Sequence, residues 1–188
     1  MITTTLNRIR DLLQCGDEWT NLLAELGKTA ADDEPLPFAT ILEVNGLDDA
    51  LWFCRAEPQY AKEWRLLMVA YARRVEHLST HPSVKNAIDV AERYAHGKAT
   101  DEELYAARTA VWAARAAARV ARDAAMAAGN AARAAAGDEV WFAARAARDA
   151  AAGPTKDAIG AAWEAERKWQ EQEFLRVVTE TGVSDGCY

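Results

Sequence analysis

Cysteine, histidine and glycine-rich loops are scarce in this chain of 188 residues, and each scarcity removes a class of chemistry. The three cysteines, Cys15, Cys54 and Cys187, are odd in number and form no CxxC pair. That argues against a disulfide framework and against a structural zinc site. Of the three histidines, His77 and His81 stand four apart in the run HLSTH. Zinc proteases use that spacing with a glutamate beside the first histidine; none lies inside this run, and Pro82 follows it. The pair therefore reads as a surface feature near a helix end, and His96, just before Gly97, as a residue at a helix C-terminus.

No glycine-rich phosphate loop of the GxGxxG or GxxxxGK type is present. Ser79, Ser83 and Ser184 lie in no nucleophile elbow, and no histidine stands near Cys15 or Cys54 in sequence. The acidic runs Asp32-Asp33-Glu34, Asp48-Asp49 and Asp101-Glu102-Glu103 are explained by loop solvation or helix-start charge. No apolar run approaches the roughly 18 residues of a membrane span. Arg8, Arg10 and Asp11 interrupt any signal-like segment, so the cytoplasm is the expected location. The residues thus predict a protein that is not an enzyme, with no catalytic group, cofactor or metal.

What is abundant is alanine. Hydrophobic residues make up 51% of the chain, but from Leu104 to Ala152 just over half the positions are Ala. Alanine is the best helix former and buries little area, so the seven Trp and the Leu, Ile and Val must supply the core. The net charge is −7, unevenly spread. Residues 1–105 carry −7, residues 106–152 carry +3 and residues 153–188 carry −3. An acidic body thus bears a mildly basic helical arm.

The pattern predicts an all-α fold, a multi-helix bundle whose C-terminal half holds long, closely packed alanine-rich helices. Thr4 or Thr5 caps a first helix through Leu13; Asp17 caps a second, which Gly27 stops. Lys28–Pro37 reads as a loop and Pro37 as the start of a third helix. Asn45-Gly46 reads as a joint before a fourth helix, Leu47–Arg55. Longer helices follow at about 59–78 and 83–96. Thr100 and Glu103 form a capping box for the alanine region. There Leu104, Val111, Ala118, Ala125 and Ala132 recur every seven residues, as do Trp112, Arg119, Met126 and Arg133, and Arg108, Arg115 and Arg122. Such rows suit antiparallel helices in close contact. Gly129 is a weak point, Gly137-Asp138 and Gly153-Pro154 are breaks, and a last helix covers about 155–181. No strand is expected. The organisation expected is a helical N-terminal region over residues 1–103, an alanine-rich region over residues 104–181 packed on it as one globular unit, and a frayed tail over residues 182–188.

Three segments carry a family resemblance: LPFATILEVNGLDDALWFCRA (Leu36–Ala56), EWRLLMVAYARRVEHL (Glu63–Leu78) and AIDVAERYAHGKATDEELYAARTAVWAARAAA (Ala87–Ala118). Together they make the chain similar to a family of bacterial and phage immunity proteins, through an NGLDDALW-like block, an AERYAxGxATDEEL-like block and an Ala/Trp/Arg-rich helical tail. The tail departs from the pattern in having fewer Trp and the extra Gly129, Gly137 and Gly153. The resemblance implies a stoichiometric inhibitor that binds a partner protein, either a toxin or a subunit of a host defence complex, as an anti-CRISPR protein does.

Candidate contact residues are the acids Asp32, Asp33, Glu34, Asp48 and Asp49, and the arm residues Trp141, Phe142 and Arg145, although the rings of Trp141 and Phe142 read more readily as core than as contact. Two other readings stand beside this one. The first is nucleic-acid binding through the arginine rows, or nucleic-acid mimicry by the acidic body; the second is a self-associating module in which alanine seams pair two copies. A nucleic-acid arm needs basic side chains interleaved with stacking aromatics, and here alanine fills those places on a chain of negative net charge. The residues therefore predict no salt-sensitive retardation of duplex DNA or RNA in a gel-shift assay at low salt.

Overall fold

A computed structural model describes residues 1–12, 17–118, 130–132, 134, 135, 137, 140–152 and 156–181. Several expectations fall outside these residues: Leu13, Cys15, the rows through Arg119, Arg122, Met126 and Arg133, Gly129, Asp138, Gly153-Pro154 and the tail 182–188. Within them the fold is an all-α, multi-helix bundle. The helices are α1 (Leu6–Leu12), α2 (Asp17–Glu25), α3 (Phe38–Phe53), α4 (Ala61–Val75), α5 (Pro82–Ala95), α6 (Asp101–Ala118), α7 (Val140–Ala152) and α8 (Lys156–Glu180). Residues 130–132, 134 and 135 are also helical.

The chain divides into two compact units, Met1–Tyr60 with the segment from Glu171, and Ala61–Gln170. In the first, Ile2, Leu6, Ile9, Phe38, Ile41, Leu47, Leu51, Phe53, Phe174 and Val178 are buried. Phe38 and Phe174 meet edge to face at 6.2 Å. Gly46 is the joint inside α3: its φ of 80° breaks the helix, at a conformation only glycine adopts freely. Thr5 caps α1 through its hydroxyl, which accepts from the Arg8 amide at 3.3 Å.

One expectation is corrected here. Thr3–Thr4 and Leu36–Pro37 pair as two short antiparallel strands, with Thr3 opposite Pro37 and Thr4 opposite Leu36. Two residues are too few to show alternation. What holds the pair is tertiary: the Ile2 amide donates to Val178 O at 2.6 Å and the Phe38 amide to Ile2 O at 3.3 Å.

In the second unit α6 packs on α5, α5 on α4, and α4 on α7. α6 buries Leu104, Ala107, Val111 and Ala114, and α7 buries Val140, Ala143, Ala144 and Ala147. The α5–α6 connection is capped at both ends. Lys98 N–H bonds Arg93 O at 2.8 Å and Gly97 N–H bonds Tyr94 O at 2.9 Å, a Schellman closure with Gly97 at φ 67°. The capping box forms next: Glu103 N–H to Thr100 Oγ1 at 3.2 Å, and Thr100 N–H to Glu103 Oε2 at 2.8 Å.

Gly137 lies in the turn that precedes α7, and Arg65 holds it. This buried arginine on α4 donates through Nη1 to Ala135 O at 3.2 Å and Gly137 O at 2.8 Å, while its guanidinium lies over the Tyr94 ring at 4.9 Å. Charge-assisted bonds to buried carbonyls contribute about 1.5–3 kcal/mol each and leave costly acceptors when removed. Arg65→Met keeps the stem and deletes the donors. It is expected to lower unfolding free energy by about 3 kcal/mol in urea denaturation, with Arg65→Lys restoring only a fraction, because an ammonium lacks the planar fork.

Candidate functional site

The acids chosen from sequence are largely engaged in the fold of the first unit. Lys28 Nζ bonds both Asp32 Oδ2 and Glu34 Oε2 at 2.6 Å, and Asp32 Oδ1 accepts from the Glu34 amide at 3.1 Å. The Lys28 hydrogen bond holds the Asp32 carboxyl below its ordinary value, and the Lys28 amine is raised in return. Of this trio Asp33 and Glu34 are exposed and Asp32 is half-buried. Asp48 and Asp49 sit half-buried in α3, where Asn45 Nδ2 donates to Asp49 Oδ2 at 3.0 Å.

Trp141, Phe142 and Arg145 do come together, in the second unit at the start of α7. The two rings meet edge to face at 4.8 Å, and the exposed Arg145 guanidinium lies 5.4 Å from the Trp141 ring. Phe142 is 45% exposed, because α7 turns its alanines toward the interior and this corner outward.

A second outward cluster was not singled out from sequence. On α6, Tyr105 is 73% exposed and Trp112 51% exposed, with the exposed Arg108 between them. The spacing i, i+3, i+7 places all three on one helical stripe, about a third of a turn from the buried Leu104–Ala114 stripe. The signal was available: once Leu104, Ala107, Val111 and Ala114 are taken as the buried set, Tyr105 and Trp112 fall outside it. Large apolar rings left in water beside arginine have the composition of an interface anchor.

Cys54 is buried, its Sγ directed at Ala50 O at 3.4 Å, and burial pushes its thiol well above the usual value. His81 caps α5, its Nδ1 accepting from the Ser83 amide at 3.3 Å. Among the described residues no cluster of His, Cys, Asp or Glu could hold a metal ion, and no helix is long and apolar enough to cross a membrane.

If Tyr105 and Trp112 serve a partner rather than the fold, removing them leaves stability nearly unchanged. The double variant Tyr105→Ala/Trp112→Ala is expected to unfold within about 1 kcal/mol of the parent by urea denaturation, against the roughly 3–5 kcal/mol that a buried aromatic such as Phe174→Ala costs. Compared with known proteins, the chain matches no family model, no curated protein and no solved structure.

Proposed function

We propose that this chain is a non-enzymatic protein inhibitor, which binds a partner protein and blocks its working surface. The observation that carries the reading is the α6 stripe of Tyr105, Arg108 and Trp112: the fold leaves two large rings largely in water although it has few large side chains to spare. Trp and Tyr carry a disproportionate share of interface energy, and an arginine between them adds a bidentate handle for carboxylates. The partner surface that fits is an apolar groove rimmed by acidic side chains. The corner of Trp141, Phe142 and Arg145 has the same chemistry at the other end of the helix row.

The resemblance to immunity proteins supports the same reading, and with it a toxin or a nuclease-bearing defence complex as the partner. Its two specific blocks are spent on the fold. In NGLDDALW, Gly46 makes the joint of α3 and Leu47, Ala50 and Leu51 are buried; in ATDEEL, Thr100 and Glu103 cap α6. The contact surface is therefore sought beside these blocks.

Tagged parent protein is expected to recover one dominant protein from the native host, toxin or defence subunit. Loss of an anchor worth about 2 kcal/mol weakens binding roughly 30-fold, so Trp112→Ala should raise the Kd for that protein by at least about this factor in calorimetry. Equal affinity of parent and Trp112→Ala would remove α6 from the interface, and repeated recovery of no protein would remove the inhibitor reading.

A further inference from the structure

Glu166 occupies an unusual place. It lies on α8 in the second unit and is only 4% exposed. Its Oε2 accepts from Arg74 Nε of α4 at 3.1 Å, and its Oε1 lies 3.3 Å from Gln170 Nε2, one turn along α8. Gln170 is fully buried, and its Nε2 also donates to Ala144 O of α7 at 3.0 Å. That second bond fixes the amide: the reverse orientation would set oxygen against a carbonyl. Gln170 Oε1 is thereby left as a buried acceptor with no donor among the described residues.

Among the described residues, two positive charges act on Glu166. Arg74 of α4 pairs with it directly, and the buried Arg148 of α7 adds a second positive charge. Arg73, next to Arg74, is held by Glu76, Asp89 and Glu92 at 2.5–2.8 Å and does not compete. Burial raises the Glu166 carboxyl by more than Arg74, Gln170 and Arg148 lower it. Arg74 has a second contact: its guanidinium lies 4.9 Å from the Trp169 ring, which meets Tyr71 edge to face at 6.0 Å.

We propose that Glu166 is a proton-operated latch between α8 and α4. As a carboxylate it clamps Arg74; as a carboxylic acid, having taken a proton from water, it turns its O–H to Gln170 Oε1 and releases Arg74. The turn is a rotation about the soft terminal torsion of glutamate. It satisfies the buried acceptor and frees a half-exposed arginine from the face of Trp169. The consequence for stability has a definite sign. The folded carboxyl titrates above its ordinary value of 4.5, so the stabilisation that its proton brings is complete below that value. It is lost as pH rises through the folded pKa.

The test uses the full chain labelled with 5-fluorotryptophan, the Trp169 line being assigned by Trp169→Phe. Fluorine NMR follows that line from about pH 7 to about pH 4, a window that spans the carboxylate range. The parent line is expected to shift with one midpoint above 4.5. In Glu166→Gln the shift disappears, and the line stays at the parent's acid position. In Arg74→Gln, at a half-exposed site, the amplitude collapses because the reporter contact is gone. A parent line that does not move above pH 4.5, or one that moves equally in Arg74→Gln, overturns the latch, and both readings stand even if Glu166→Gln fails to fold.

Discussion

Arg65 reaches from α4 to two carbonyls of the alanine region, and the second unit depends on that reach. Alanine helices have strong local propensity and little area with which to hold one another, so their ends need an external anchor. A guanidinium supplies several donors on a long apolar stem. It can cross a gap that a small side chain cannot, and satisfy the carbonyls exposed where a helix stops. Tyr94 covers its face from α5, so one side chain touches three segments of the unit. The same logic recurs at Gln170, whose amide reaches Ala144 O on α7, and at Tyr71, whose hydroxyl donates to Gln170 O at 3.1 Å. Polar atoms from the large residues thus do between helices what leucine does in an ordinary bundle.

Much of this fold was legible in the sequence, for reasons that differ by element. The capping box at Thr100 and Glu103, the stop at Gly97 and the joint at Gly46 are local devices, written in a few adjacent residues, and each forms as expected. The short strand pair was not legible, because its partners lie more than 30 residues apart and its hydrogen bonds are set by what surrounds Ile2. Arg65 was not legible either. On the sequence it is one more basic residue of a helix face, and only the fold shows that it points inward.

Surface readings fared differently. Acidic runs are conspicuous in a sequence, yet Asp32, Glu34 and Asp49 bond to neighbours a few residues away. Arg145 stands outward, and so does Phe142, whose ring reads from sequence more readily as core. Tyr105 and Trp112 were hidden by the assumption that a large ring belongs to the core; telling them apart required knowing which stripe of α6 faces α5. Exposure of an aromatic is a relation between helices, and composition does not contain it.

The connection from α5 to α6 has a kinetic consequence. Only the five residues His96–Thr100 separate the two helices, and both ends of the link are closed by bonds that span five residues or fewer. The Arg65 bonds instead close a span of 70 residues. Because closure entropy grows with the logarithm of loop length, the longer closure costs about 2 kcal/mol more. The helical hairpin of α5 and α6 is therefore the economical nucleus of its unit. The part of the alanine region that Arg65 holds, at Ala135 and Gly137, is rich in the best helix former and is nonetheless the segment that must wait for something to dock against.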